Sequence, residues 1–354
     1  MKSSARPSPV PDLTPRQIYE HLDRFVIGQT KAKRTVAIAA YNHLKRCSVR
    51  AAAQKKLLKK ANLLLMGPTG CGKTHIARNL ADLLEVPFTV VDATEYTEAG
   101  YYGKDVEVMI AELLFKAEHS VEDTERGIVF IDEIDKIARK SQGARNGAGS
   151  RDIGGEGVQQ SILKLLEGRE VFVPMNVTQH WNKHDFVQVN TQNILFICAG
   201  TFSDIHMYEQ SKSLGFGAEA TAPKKRRITV KKLVEYGMLA ELLGRIPVMV
   251  DLDPLSEDEL LRVLVEPPDS LLREYTQLFA LDGVDVDFQE SALREIVHYA
   301  TERGLGARAL RSIFEEICHD LMFEAPELRG KKVAVDAELV KSRVALLEGT
   351  ALGE

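Results

Sequence analysis

The chain has 354 residues, enough for two or three domains, of which 44% are hydrophobic and 27% charged, the balance of an ordinary soluble globular protein. Nothing in the formal net charge of -5 suggests a nucleic-acid binder, and no apolar run approaches the roughly 18 residues of a membrane helix. Four scattered cysteines (Cys47, Cys71, Cys198, Cys318) without C-x-x-C spacing argue against a zinc site or a disulfide scaffold and suit a reducing cytoplasm.

The first residues, 1–13, are polar and carry prolines, so they read as a loose tail rather than a signal peptide. Thr14-Pro15 is a helix-start pair, and 31–45 has helical spacing. Between them Phe25-Val26-Ile27-Gly28-Gln29 forms a short apolar turn. Residues 62–66 are a continuous apolar run closed by Gly67-Pro68, the pattern of a buried parallel strand. Four similar runs follow at 87–92, 128–131, 194–199 and 246–252, with helical stretches between them. That alternation predicts an α/β domain on a parallel sheet over 14–254.

After about residue 255 the character changes. Ser256 and Glu259 have capping-box spacing, and 271–279, 291–301 and 307–322 have helical periodicity. Residues 284–286 and 333–335 read as short strands. The expectation is a smaller, mostly α-helical domain over 255–354.

Gly67-Pro68-Thr69-Gly70-Cys71-Gly72-Lys73-Thr74 matches G-x-x-x-x-G-K-[ST] in full, after an apolar strand and before a helix. Backbone N–H groups of such a turn surround phosphate oxygens. Lys73 is placed to reach the β/γ-phosphates, and Thr74 offers a hydroxyl to Mg²⁺. The run Ile128-Val129-Phe130-Ile131 ends in two acids, Asp132 and Glu133. Asp132 is the second expected Mg²⁺ residue, and Glu133 is the base that polarises the attacking water, which makes this an ATP hydrolase and not a static nucleotide binder. Taken alone, a strand end with two solvated acids is common; the phosphate loop upstream gives the pair its meaning.

The run Asp132-Glu133-Ile134-Asp135-Lys136-Ile137 resembles AAA+ proteins of the ClpX family. So do Val26-Ile27-Gly28-Gln29, Tyr41-Asn42-His43, Gly155-Glu156-Gly157-Val158-Gln159-Gln160, Gly244-Arg245-Ile246-Pro247 and Gly306-Ala307-Arg308-Ala309-Leu310-Arg311. The resemblance spans about 14–344. It implies a homohexameric ring that hydrolyses ATP between two domains and a neighbouring subunit, threading unfolded or tagged proteins toward a ClpP-type peptidase, with neither nucleic acid nor membrane as partner. It implies that Val26 and Ile27 pack on adenine, although by themselves they read equally as core residues. Thr201 is implied to sense the γ-phosphate, or else simply caps a strand end. Arg245 is implied as the arginine finger supplied in trans, and Arg308 as a second sensor. Without the resemblance both arginines read as partners in surface salt bridges.

Ala99-Gly100-Tyr101-Tyr102-Gly103 puts an aromatic pair between glycines, which reads either as a loop free to move whose exposed aromatics can grip any polypeptide or as a tight turn with the tyrosines packed on the core. It resembles the axial pore loop of the family, with Tyr102 in place of the usual aliphatic residue. Arg151-Asp152-Ile153-Gly154-Gly155 resembles a second pore loop, and Gln179-His180-Trp181-Asn182-Lys183-His184 stands where the family carries a basic Arg-Lys-His loop. Leu214-Gly215-Phe216 lies in a polar stretch and resembles the family's Ile-Gly-Phe loop that docks on the peptidase; by itself it reads also as a strand edge folded against the small domain. The family's N-terminal four-cysteine zinc domain has no counterpart here, so no zinc is expected beside ATP and Mg²⁺. The alternatives are a stand-alone remodeller or regulatory AAA+ switch without a peptidase, the related unfoldase HslU, and a branch-migration DNA motor. The Leu-Gly-Phe loop weighs against HslU, and the mildly acidic balance against a DNA motor.

Overall fold

The computed structural model describes residues 12–48, 57–97, 104–138, 155–175, 186–203, 205 and 228–351. The chain separates into two compact units, and neither is a single stretch of sequence. The first comprises Met1–Glu20, Lys31–Gly67 and Lys73–Leu252; the second comprises His21–Thr30, Pro68–Gly72 and Asp253–Glu354.

The first unit is built on a five-stranded sheet. Its strands are β1 (Leu63–Met66), β2 (Phe88–Asp92), β5 (Ile128–Asp132), β8 (Leu195–Gly200) and β9 (Val248–Asp251). Two short strands, β3 (Tyr96–Thr97) and β4 (Lys104–Asp105), pair in parallel with each other, and β6 (Glu170–Pro174) pairs antiparallel with β7 (Phe186–Asn190). The sheet order is β2-β5-β8-β1-β9, and every neighbouring pair is parallel. The apolar runs are continuous because the central strands are covered on both faces: all four residues of β1 and all six of β8 are buried. The edge strands β2 and β9 alternate or open to solvent.

On one face Leu64, Met66, Val129, Ile131, Phe196 and Cys198 pack with Met109, Ile110 and Leu113 of the helix Val108–Lys116 and with Val158, Ile162 and Leu165 of the helix Gly155–Glu167. Buried residues three and four apart on these helices give the stripe that faces the sheet. Residues 87–92, 128–131, 194–199 and 246–252 are thus strands within one or two residues of the expected limits. The β6–β7 hairpin was not expected. Its outer face carries Phe172 and Phe186, both more than half exposed, so no alternation of apolar and polar residues marked it.

In the second unit five helices surround one core: Glu257–Val265, Leu271–Leu281, Glu290–Glu302, Ala307–Glu324 and Ala337–Ala351. Strands β10 (Asp285–Phe288) and β11 (Lys332–Val335) pair in parallel beside it. Ser256 and Glu259 form a complete capping box, each side chain bonded to the other's backbone N–H. The Val26-Ile27 turn belongs here: the Gln29 amide donates to the Asp253 carbonyl at 2.7 Å and accepts from the Asp253 N–H at 3.0 Å.

Candidate active site

Parallel order sets the site. In a sheet of this kind ligands gather beyond the carboxyl ends of the strands, where the connections diverge. β1 runs out at Met66 into the glycine turn, β5 runs out at Asp132-Glu133, and β8, which lies between them, runs out at Gly200-Thr201. The Gly67 N–H donates to the Gly200 carbonyl at 3.2 Å, which joins the start of the turn to the end of β8.

The glycines have distinct reasons. Gly70 has φ +73° and a Cβ there would lie 2.2 Å from the Leu305 carbonyl oxygen, so both conformation and space exclude a side chain. Gly72 has φ +100° and open space around it, so only the backbone conformation demands glycine. Gly70 also accepts a 3.2 Å hydrogen bond from the Ala307 N–H. Pro68 is exposed and Thr69 half-buried, while Cys71 is buried. Lys73 opens the helix Lys73–Leu84; it is buried and its ammonium donates to the Gly67 carbonyl at 2.6 Å. That bond ties the ammonium to the first residue of the turn. Thr74, half-buried, is the next residue of the helix.

Asp132 is half-buried and Glu133 exposed. Glu133 has a left-handed backbone, φ 55°, and its N–H donates to the Asp132 carboxylate at 2.9 Å. A non-glycine residue held there costs about 1–2 kcal/mol. The surroundings impose it: the Glu133 carbonyl accepts from Lys136 N–H at 2.9 Å at the start of a 3-10 turn, Ile134–Ile137, whose Ile134 and Ile137 are buried.

That 3-10 turn also delivers a residue whose role its sequence position does not announce. Asp135, 5% exposed, accepts from the Thr201 hydroxyl at 2.8 Å and from the Phe202 N–H at 3.1 Å. Its approach needs a bare neighbour, because a Cβ on Gly200 would stand 2.8 Å from Asp135 Oδ1. Thr201 is therefore fixed by a buried carboxylate beside the β8 end. The available signal was an acid two residues after Glu133, between the buried Ile134 and Ile137.

The remaining expected residues are dispersed. Arg245 is exposed at the end of the short helix Ala240–Gly244, and its guanidinium donates from two nitrogens to one oxygen of Glu167, at 2.8 and 3.3 Å. Its own carbonyl accepts from the Asn62 amide at 2.9 Å. Arg308 is exposed in the first turn of Ala307–Glu324, directly after the N–H that meets Gly70. Val26 and Ile27 are buried. Tyr101, Tyr102, Arg151, Leu214, Gly215 and Phe216 lie outside the described residues, as does the 179–184 loop. Burial pushes the Cys198 and Cys318 thiols up to about 12, so neither is a nucleophile near neutral pH.

A glycine turn of the G-x-x-x-x-G-K-[ST] pattern, a strand-end acid pair and a polar strand end between them fit a P-loop ATPase of the AAA class, an ATP hydrolase rather than a peptidase. Residues 58–249 match the family described as AAA domain (Cdc48 subfamily), and 255–335 match the C-terminal, D2-small domain of ClpB protein. The chain belongs to the ClpX family. It is 42% identical over 330 residues to the ATP-dependent Clp protease ATP-binding subunit ClpX of Treponema denticola, covering 90% of this chain and 79% of that protein. It is 45% identical over 312 residues to the ATP-dependent Clp protease ATP-binding subunit ClpX 2 of Wolinella succinogenes, covering 88% and 78%.

Proposed function

We propose that this chain is an ATP-driven protein unfoldase and translocase that works as a homohexameric ring in the cytoplasm and hands unfolded or tagged proteins to a ClpP-type peptidase. The carrying observation is that Gly67 and Lys73, which bracket the glycine turn, Asp132-Glu133 and the Asp135-anchored Thr201 follow neighbouring strand ends of one parallel sheet. The names of the relatives, ATP-binding subunits of an ATP-dependent protease, supply the partner.

The roles follow from the chemistry. The N–H groups of 67–72 and the Lys73 ammonium hold the phosphates. Thr74 and Asp132 supply a hydroxyl and a carboxylate, hard oxygen donors that fit Mg²⁺ with its waters and substrate oxygens. When bound, that ion would neutralise charge on the phosphates. Glu133, exposed and uncommitted to the sheet, takes the proton from water. Thr201 positions against the terminal phosphate. Val26 and Ile27 pack on the base, and Arg308 closes on the nucleotide from the small domain, here assigned to 255–354 beside a large domain of 14–254.

Arg245 serves the neighbouring subunit's ATP. Its present partner Glu167 is about half exposed, and such a pair is worth only about 0–1 kcal/mol. A phosphate oxyanion presented by a neighbour can therefore displace the carboxylate. Tyr101 and Tyr102 grip the translocating chain, with Arg151 on a second loop, and Leu214-Gly215-Phe216 docks on the peptidase.

The test follows unfolding and degradation of one fluorescent substrate side by side. Phe216→Ala retains ATP hydrolysis and unfolding and loses degradation by the cognate peptidase. If it lowers both activities equally, or the unaltered chain never binds the peptidase, the docking role fails and a stand-alone remodeller becomes the better reading.

A further inference from the structure

Gln159 has no exposed surface, and its side-chain amide joins three separate segments of the first unit. Its nitrogen donates to the Ile137 carbonyl at 2.9 Å and to the Gly237 carbonyl at 3.3 Å; its oxygen accepts from the Leu239 N–H at 2.8 Å. Both amide protons and one lone pair are thus used, so the group is satisfied and cannot rotate without leaving a buried donor or acceptor unpaired.

The three segments have distinct functions in the reading above. Ile137 ends the turn that begins at Glu133. Leu239 caps the short helix Ala240–Gly244, which delivers Arg245. Gln159 itself lies in the helix Gly155–Glu167, whose first residue sits so close to Ile137 that a Cβ on Gly155 would come within 2.7 Å of the Ile137 oxygen. The same helix ends at Glu167, the partner of the Arg245 guanidinium. The segment carrying Arg245 is therefore held at both ends by one helix: by a buried amide at its start and by a surface ion pair at its finish.

We propose that Gln159 is a positioning residue for Arg245, registering it against the turn that follows the catalytic acids. The proposal rests on the reading of Arg245 as the trans-acting arginine. A surface pair alone leaves a long side chain free to wander. The buried amide fixes the backbone from which Arg245 projects, while the Glu167 pair remains free to exchange for phosphate. A misplacement of roughly 1 Å at a catalytic group can cost about 100-fold in rate.

The experiment measures steady-state ATP hydrolysis by the full chain, with kcat and KM separated, for Gln159→Met, Arg245→Ala and the double variant. Methionine keeps the length of the side chain and removes its hydrogen bonds. The expected result is a kcat about 10- to 100-fold lower for Gln159→Met, with KM changed less than about threefold. On the Arg245→Ala background the same substitution lowers kcat less than about twofold, because two residues acting through one step are not additive. An equal loss on both backgrounds, or no loss on either, overturns the proposal and leaves Gln159 a core residue. A wild-type kcat for Arg245→Ala overturns the finger reading itself, and the proposal with it. If Gln159→Met does not fold, Leu239→Pro carries the same test: Leu239 has φ -67°, which proline adopts, and the substitution removes the N–H that meets Gln159.

Discussion

Replacing Asp135 by alanine asks whether the strand-end threonine works alone or as half of a pair. Asp135 is buried and accepts two hydrogen bonds, from the Thr201 hydroxyl at 2.8 Å and the Phe202 N–H at 3.1 Å. Hydrogen bonds to a charged group are each worth about 1.5–3 kcal/mol, and relief of the burial cost of the carboxylate offsets part of the sum. The expected net loss is about 2–4 kcal/mol, a fall in melting temperature of roughly 5–10 °C for a domain of this size. Thr201 also loses the acceptor that fixes its hydroxyl, so kcat should fall by about 10-fold or more while ATP affinity changes little. Thermal unfolding and a phosphate-release assay read the two effects separately. Asp135→Asn keeps an acceptor oxygen and should lose less on both. After Thr201→Val, Asp135→Ala should lower kcat little further. An Asp135→Ala chain with unchanged kcat and melting temperature would refute the pairing as a functional element.

Two further outcomes follow from the geometry. Gly72→Ala meets open space and pays only for φ +100°, about 1–3 kcal/mol, whereas Gly70→Ala adds a clash with the Leu305 carbonyl; both should weaken ATP binding in a titration, Gly70→Ala more. Lys60 donates to the Thr191 carbonyl at 2.9 Å and stands over the Phe196 ring; burial, with Arg46 nearby, pushes its pKa from 10.5 down to about 7. Between those values the unfolded chain keeps a proton that the folded chain has shed, so stability should rise as pH climbs from about 7 toward 10.5. Burial, with Lys60 close by, holds His43 down at about 4 from 6.5, so stability should also be lost as pH falls through that window. Melting temperatures across pH check both limbs: Lys60→Met should flatten the alkaline rise and shrink the acid limb without abolishing it, because burial, the larger cause of the lowered His43 pKa, remains.

The central strands and the phosphate turn were legible because each leaves a local mark. Full burial on both faces writes β1 and β8 as unbroken apolar runs, and φ +73° and φ +100° write Gly70 and Gly72. The β6–β7 hairpin left no such mark, since Phe172 and Phe186 face solvent. Nor is the grouping of residues 21–30 and 68–72 with the C-terminal helices written locally, because it depends on contacts such as Gln29 with Asp253 and Gly70 with Ala307. At the site the acids announced themselves at a strand end, while the partnership of Asp135 with Thr201 did not. Spacing places a residue on an element; it does not say which distant hydroxyl that residue will accept from.

The central claim is that Lys73 holds the nucleotide while Glu133 acts only on water. It is tested most directly by measuring ATP binding and phosphate release together for Lys73→Ala and Glu133→Gln. The account predicts that Lys73→Ala loses most ATP binding, whereas Glu133→Gln binds ATP within about threefold of the unaltered chain and hydrolyses it at least about 100-fold more slowly. Hydrolysis by Glu133→Gln at the unaltered rate, or full ATP affinity in Lys73→Ala, would contradict it.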